Sequence, residues 1–417
     1  MLEQMQKPTE VNVGMLDGLL SEDKGPAAIV IRECLRPAAG RRTPVAPPTF
    51  AGRGQSESDY HVDGEDPKNW QPILQAVAQE RVANRCTLDS IPSQANRMEG
   101  YLKRFEGTSI PKVTLTGVKR ESMSLLDVGH RVADAAVWSA DNYRDFQLAL
   151  EAYVEGDAMK LAKLAPTSLV FGYWDSRGKT GGKARRLVRS EIVAENVVKL
   201  TRKSQYWASV DPEASEDLQK ALDEAGARAK GEDEKDVGSQ LGFRDAPASG
   251  LGGVIVHGEI VRTTILSLTG LRNLAARGTN GQEDADWTRR LRSYLFALML
   301  AAAGSSKGGW DLREGCLLVQ ERKRKDGDKD DSPDITCSLV YYDGREPPWT
   351  MPGPEDIDGY VRATARAFFA SGLPDECDLI FNPGGAAQEV RKKLAEKERT
   401  KAAGGKGAAK AERKKGG

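Results

Sequence analysis

The stretch GGVIVHGEIVRTTILS, residues 252–267, is rich in β-branched residues and predicts one or two strands. A similar run, AAIVIREC at 27–34, predicts the first strand of the chain. Further predicted strands are CLLVQER (316–322) and ITCSLVYY (335–342), which are expected to pair with each other. The segment SEIVAENVVKL (190–200) follows a Gly-rich basic loop. Helical patterns separate these strands, so the sequence predicts an α+β fold.

Helical periodicity marks the regions between the strands. The predicted helices lie at about 70–84, 91–105, 123–138, 142–163, 268–276, 287–303 and 355–371. Pro166 is expected to open another strand, SLVFGYWDS at 168–176. No internal repeat is visible.

Three segments fall outside the predicted core, which spans 26–385. Residues 1–25 are a lead-in, and residues 386–417 form a basic low-complexity tail that is expected to be disordered. Within the core, 36–68 is rich in Pro, Gly and Arg and predicts a long irregular insertion. A second insertion at 205–250 includes an acidic stretch that is expected to be solvated and mobile.

Composition excludes several classes of protein. Of the 417 residues, 39% are hydrophobic and 29% are charged, and no apolar run approaches the roughly 18 residues that a membrane helix needs. The N-terminus lacks the pattern of a secretory signal. Five scattered cysteines without a CxxC pair argue against a disulfide scaffold and a zinc site. We therefore expect a cytoplasmic protein that has no membrane contact, metal or cofactor.

The formal net charge of zero conceals an asymmetry along the chain. Residues 391–417 hold 11 Lys and Arg against 3 Glu, a net charge of +8, so the rest of the chain sums to −8. A basic tail on a mildly acidic body favours an anionic partner. Basic sites within the body must then be found locally.

The strongest local signal is RGKTGGKARRLVR at 177–189, which contains no acid. Its cations are Arg177, Lys179, Lys183, Arg185, Arg186 and Arg189, and Trp174 precedes it. Cations beside aromatic rings suit single-stranded nucleic acid, because phosphates pair with cations and bases stack on rings. A solvated surface loop is an equally good interpretation of the pattern alone.

A second candidate is PSQANRMEGYLKRF at 92–105, where a predicted helix begins near a proline. Free backbone N–H groups at a helix start favour a phosphate. The candidate ligands there are Ser93, Gln94, Asn96 and Arg97. The alternative is an amphipathic surface helix whose arginines are solvated.

Two weaker candidates remain. Thr263 and Thr264, with Arg272 further on, lie near a strand-to-helix junction where hydroxyls contact phosphate or, more commonly, cap the helix. His130, Arg131 and Asp134 share one face of the predicted helix over 123–138, which by pattern alone is a polar helix face. Neither pattern shows a nucleophile or a metal-ligand spacing.

Taken in order, several blocks resemble one protein family. They are LDSIPSQANRMEG, DVGHRVADA, LAPTSLVFGYWDSRG followed by GGKARRLVRSEIV, GGVIVHGEIVRTTILSLTGLRNL, and WDLREGCLL. Across about 27–320 the chain resembles the CRISPR-associated RAMP-superfamily backbone subunit, Cas-seven-like and of the GSU-type, of type I-G (formerly I-U) Cascade. The resemblance adds His130, Arg131 and Ser176 to the RNA-binding candidates.

The resemblance implies an RRM-like (ferredoxin-like) palm with large inserted finger and thumb elements. Copies of the subunit would line up along one guide RNA (crRNA) and present it to a target DNA strand, so that base pairing reads the sequence. The other expected partners are a large subunit, a fused five/six-type RAMP subunit and a recruited helicase-nuclease, all in a prokaryotic cytoplasm. The protein itself would not be an enzyme; the alternative is an RNA-cleaving RAMP endonuclease that processes guides or cuts target RNA.

Overall fold

Strands account for much of the described chain. This computed structural model describes residues 16, 18–20, 25–51, 59–65, 69–175, 180–211, 215–228, 241–243, 246–306, 310–322 and 332–396. Its strands are β1 (Ala28–Pro37), β2 (Thr49–Phe50), β3 (Asp59–Tyr60), β4 (Val62–Gly64), β5 (Asn84–Asp89), β6 (Val113–Thr116), β7 (Ser122–Ser124), β8 (Tyr173–Trp174), β9 (Lys183–Ala184), β10 (Val188–Glu195), β11 (Val197–Tyr206), β12 (Ala246–Val256), β13 (Ile260–Ser267), β14 (Trp310–Arg313), β15 (Cys316–Gln320), β16 (Ile335–Val340) and β17 (Cys377–Ile380).

Helices of varied length lie between the strands. They are α1 (Trp70–Ala78), α2 (Ile91–Leu102), α3 (Ala135–Trp138), α4 (Arg144–Val154), α5 (Met159–Leu164), α6 (Pro166–Val170), α7 (Glu216–Arg228), α8 (Leu268–Arg272), α9 (Ala285–Ala303), α10 (Pro354–Phe368) and α11 (383–396). None of the described helices is long and apolar enough to cross a bilayer. The α+β class predicted from the sequence is confirmed.

An antiparallel main sheet of eight strands organises the molecule. Its order is β14-β15-β1-β13-β10-β5-β4, and β16 pairs with β1 beside β15. Along β1, β10 and β13 buried residues alternate with more exposed ones, as the two-residue period of a strand requires. We call the buried side the inner face and the opposite side the outer face.

The inner face is covered by the two helices α2 and α9. Helix α9 is buried along most of its length, because its residues 294–303 pack into the largest hydrophobic cluster. Helix α10 packs on α9 from the other side, where Phe368 stacks on Tyr294.

An antiparallel ribbon made of β11 and β12 extends from the main sheet between β10 and β13. Its base is buried at Val197 and Val198, whereas residues 201–206 are all exposed. Beyond the ribbon, helix α7 occupies part of the acidic stretch, so this part of the insertion is helical. The prediction of two strands at 252–267 is confirmed, and the second of them, β13, lies at the centre of the sheet.

Several local predictions are wrong. The expected strand at 168–176 is a strand only at Tyr173–Trp174, because residues 168–170 belong to helix α6. Pro166 stands in the first turn of this fully buried helix, and an apolar run does not distinguish a buried helix from a strand. The expected helix over 123–138 is broken into short turns and α3. The predicted pair 316–322 and 335–342 forms strands, but both pair with β1.

Other predicted elements have the right type but different boundaries in the structure. The helix predicted at 70–84 ends at Ala78, and the one predicted at 142–163 is divided into α4 and α5. In the predicted insertion 36–68, the described part is mostly irregular with the short strands β2, β3 and β4. At the C-terminus, α11 extends through the beginning of the tail that was expected to be disordered.

Candidate nucleic-acid interface

Two sequence-distant segments, 129–138 and 172–186, face each other across a cavity of about 780 Å³. We call this cavity and its lining the basic groove. It brings five of the residues singled out in the sequence to one place: His130, Arg131, Trp174, Lys183 and Arg186.

A tight turn positions one wall of the groove. Gly172 has φ +78°, and a Cβ there would lie 2.8 Å from the carbonyl oxygen of Ala184 and 2.9 Å from Cγ of Arg186. Only glycine fits this approach without strain. After the turn, β8 pairs with β9 so that Trp174 lies opposite Lys183. The pairing sets an aromatic ring beside a cation at the mouth of the groove.

The cations of this wall are exposed. Among the described residues, Lys183, Arg185 and Arg186 have no carboxylate within ion-pair distance. Partial burial and the nearby guanidinium of Arg131 lower the pKa of Arg186, because both disfavour its charged form. Cations without a protein counterion leave their charge available for an anionic ligand.

Aromatic and polar groups complete the lining. The Trp174 side chain is 71% exposed, so its ring is available for stacking. His130 is exposed, and Trp138 is half-buried. Asp134 accepts a hydrogen bond from the backbone N–H of Ala136 and caps α3. The groove thus presents cations, a histidine and rings, with a carboxylate that is engaged in capping.

Arg131 forms the floor of the groove and is not a surface cation. Its side chain is buried and binds Glu99 of α2 through two hydrogen bonds, from Nε at 2.7 Å and from Nη2 at 2.6 Å. Its Nη1 donates to the carbonyl of Gly172 at 3.2 Å. Burial raises the pKa of Glu99 to about 7, while the Arg131 charge opposes that rise. Arg131 therefore ties α2 to the turn that positions the cations.

Tyr173 contributes an unsatisfied donor to this region. The residue is 6% exposed, and among the described residues its hydroxyl has no hydrogen-bond partner. Burial raises the pKa of Tyr173, so the phenol stays protonated at neutral pH. An unpaired buried hydroxyl is costly, and this one is closed to solvent beside Gly182, so it is not counted among the ligand-binding groups of the groove.

The candidates on α2 have a different environment from the groove. Gln94 is fully buried, donates to Asp89 at 2.6 Å and accepts from Arg262. Arg97 donates to Asp89 at 3.1 Å and to the carbonyl of Leu312 at 2.8 Å. Ser93 is half-buried and Asn96 is exposed. Of this block, only Asn96 presents its side chain to solvent without a described partner.

The candidates near β13 also lie in different environments, some buried and some exposed. Thr264 is fully buried and contacts the hydroxyl of Ser190 at 2.8 Å. Thr263 lies on the outer face. Arg272 donates to the backbone carbonyls of Leu19 and Pro26. Ser267 caps α8 by accepting from the N–H of Gly270, which confirms the capping interpretation for this junction.

The buried polar side chains form a network between the inner face and α2. Arg262 is fully buried and donates to Glu33 at 2.6 Å, and its guanidinium lies 4.3 Å from the ring centroid of Trp310. Burial lowers the pKa of Arg262, against the attraction of Glu33. These contacts join β1, β13 and β14, so they stabilise the sheet.

The other candidates in the basic segment either lie apart from the groove or fall outside the residues that the structure describes. Arg189 is exposed on the outer face, where it pairs with Glu191 at 3.3 Å. Ser176, Arg177 and Lys179 lie outside the described residues. Within the described ranges, no group of three or more His, Cys, Asp or Glu side chains could hold a metal ion.

Sequence reasoning missed Glu99 and Gly172. Glu99 lies on the buried side of α2 next to Met98, and an acid within an apolar stripe signals a buried partner. Gly172 gives no such signal, because its role depends on the approach of the distant strand β9.

Comparison with known families finds a match to part of the chain. The model of a family described as CRISPR-associated protein GSU0053 matches residues 29–199. This match supports a CRISPR-associated protein with a role in CRISPR defence. The matched segment contains both walls of the basic groove and α2, and it ends within β11. A search of curated proteins finds no matching relative.

Proposed function

We propose that this protein is a guide-RNA-binding backbone subunit of a type I-G Cascade complex, and that the basic groove holds the RNA backbone. The observation that carries the proposal is the basic groove itself. Unpaired cations at Lys183 and Arg186 stand beside the exposed ring of Trp174, inside the segment matched by the CRISPR-associated family. Phosphates pair with such cations, while bases stack on the ring.

The proposal assigns a role to the inserted elements. The main sheet with α2 and α9 on one face is the candidate for the RRM-like palm. The β11–β12 ribbon is the candidate for the thumb, because its outer half is exposed on both faces and carries Arg202, Lys203 and Tyr206. An isolated two-stranded ribbon is marginally stable in water, so a partner is expected along it.

The remaining partners follow from this role. Copies of the subunit would multimerise on the crRNA and expose its bases to a target DNA strand. A large subunit, a five/six-type RAMP subunit and a helicase-nuclease would complete the system in the cytoplasm of a prokaryote. The backbone subunit itself would be non-catalytic.

A second candidate function rests on His130. Its imidazole is exposed in the same groove as the cations, where a general base could act on a 2′-hydroxyl. Labelled precursor RNA incubated with the protein, and target RNA incubated with the assembled complex, separate the two functions. Cleavage that is lost in His130→Ala supports an endonuclease, whereas RNA that is bound and stays intact supports the scaffold.

The salt dependence of RNA binding tests the groove. Each phosphate neutralised on a single strand contributes about −0.7 to the slope of log K against log salt. The double variant Lys183→Ala/Arg186→Ala should therefore flatten the slope by about 1.4 if both side chains contact phosphate. All guide sequences should weaken alike, since phosphate contacts carry no sequence information.

Two control variants remove the same charge elsewhere. Lys119→Ala/Arg120→Ala changes two exposed cations in the turn between β6 and β7, outside the lining of the groove. Lys414→Ala/Lys415→Ala changes the tail. Both should keep most of the wild-type slope. If the groove variant keeps the wild-type salt dependence and the tail variant loses it, RNA binding belongs to the tail and not to the groove.

A further inference from the structure

The outer face of the main sheet carries polar side chains close to the basic groove. Only Leu187 and Val188 separate Arg186 in the groove from Arg189 on β10, so the chain passes directly from one surface to the other. On the central strand β1, the buried residues Ile31 and Glu33 flank Arg32, which is exposed on the outer face.

The register of the sheet fixes which outer-face side chains are neighbours. Arg32 lies opposite Thr263 on β13 and opposite Thr336 on β16. Thr263 in turn lies opposite Glu191 on β10. Directly opposed residues have Cβ atoms about 5 Å apart, so these four side chains form a continuous row across the sheet.

The row offers donors for a phosphodiester backbone. Among the described residues, the guanidinium of Arg32 has no hydrogen-bond or ion-pair partner, and the threonines opposite it flank it on both sides. Glu191 is the acid of the row, and it pairs with Arg189. This pair is exposed, and such pairs contribute little, so a phosphate can compete for the guanidinium.

The register also fixes where the charges of the outer face lie. Arg189 lies at the end that adjoins the groove, and Arg32 lies near the middle of β1, level with Glu191. Arg36, Glu195, Glu259 and Asp334 lie toward the opposite end. Arg189 and Arg32 are separated by two strand spacings and a two-residue offset in register, a distance of about 12 Å. At roughly 3.4 Å per stacked nucleotide, this span fits three or four nucleotides.

We propose that single-stranded RNA leaving the groove crosses the outer face of the main sheet, and that Arg32 contacts its phosphates there. The inference rests on the proposed function and extends the RNA path beyond the groove. The row contains no aromatic side chain, so the sheet contacts the backbone and leaves the bases free.

The variant Arg32→Ala tests the path, with Arg42→Ala as its control. Arg42 is also exposed, but it lies in a cleft at the opposite end of the sheet together with Glu259, Glu321 and Asp334. With oligouridine of about ten nucleotides, Arg32→Ala should flatten the salt slope by about 0.7, and Arg42→Ala should leave it unchanged. Thermal unfolding of both variants checks that the fold is retained.

A photocrosslinker provides a second readout that does not depend on removing Arg32. The amino acid p-benzoylphenylalanine placed at Thr336 should crosslink to bound RNA, and placed at Leu317, an exposed position on β15, it should not. Equal slopes for the two arginine variants and no crosslink at Thr336 would overturn the path. If the groove double variant still lowers affinity in that case, the groove proposal survives alone. Absence of RNA binding by the wild-type protein would overturn both.

Discussion

At the scale of single residues, the pair of Arg131 and Glu99 holds the floor of the basic groove. Arg131 has φ +54°, a backbone conformation that is rare outside glycine, and its contacts to Glu99 and Gly172 stabilise it there. Arg131→Met should lower the free energy of unfolding by about 3–5 kcal/mol, because it leaves the carboxylate of Glu99 buried without a partner. Denaturant unfolding measures this loss, and Asp286→Ala, which removes exposed pairs with Arg289 and Arg290, should lower the free energy of unfolding much less.

The stability of Arg131→Met should depend on pH in a predictable way. Burial already raises the pKa of Glu99 to about 7, and removing the Arg131 charge raises it further. The unfolded state releases this proton near the ordinary value of about 4.5, so the stability of the variant falls as pH rises above that value. The loss relative to wild type should be smaller at pH 5 than at pH 8. An equal loss at both values would show that Glu99 is not the group left unpaired.

At the scale of elements, the turn before β8 determines the shape of the groove. Gly172→Ala would place a methyl group against the carbonyl of Ala184 at a positive φ, so β9 and the cations after it must shift. Gly181→Ala is the matched control, because its φ is +61° but nothing lies within 4 Å of the added Cβ. We expect a lower melting temperature and weaker RNA binding for Gly172→Ala than for Gly181→Ala. Equal effects would mean that the close approach to β9 is not important.

Elements were predictable from sequence where one periodicity persisted. The β-branched run at 252–267 and the helix at 287–303 were predicted because each pattern runs over many residues. The structure of the region 123–138 was not predicted, because Ser124 and Asp134 each cap a new turn. Arg131 also adopts a positive φ there, which its contacts with the distant residue Glu99 stabilise. For the site, residue types were predictable, but burial of Gln94 and Thr264 depends on pairing between remote segments.

The ribbon is an element that should be separable from the core. Residues 201–206 are exposed, and Thr201 lies opposite Leu251 in the ribbon. Replacing 202–250 with an Asn-Gly turn should therefore leave the melting temperature of the core nearly unchanged, since little buried surface is lost. If the ribbon is the thumb, the shortened protein should still bind short RNA but assemble poorly on long RNA. A core that fails to fold would show that the ribbon is structural.

At the scale of the whole molecule, RNA binding should not require a divalent metal. The groups that would contact RNA in the basic groove are cations and aromatic rings, and the described residues contain no cluster of metal ligands. Affinity for guide RNA measured by fluorescence anisotropy should be the same in excess EDTA as in buffer without it, at matched ionic strength. A strict requirement for Mg²⁺ in binding by the purified protein would contradict the proposed mode of binding.

Assembly is the property that distinguishes a backbone subunit from any other RNA-binding protein. In the proposed mode of binding, one groove and the adjoining outer face contact a few nucleotides, so a longer RNA would have room for additional copies. Light scattering of the protein with RNA of increasing length should give masses that rise in steps of one chain, 45.3 kDa, plus the added RNA. The groove variant Lys183→Ala/Arg186→Ala should lose the steps, because copies then lack their common ligand. If a single copy binds RNA of every length, the protein still binds RNA, but the proposal that it is a backbone subunit is contradicted.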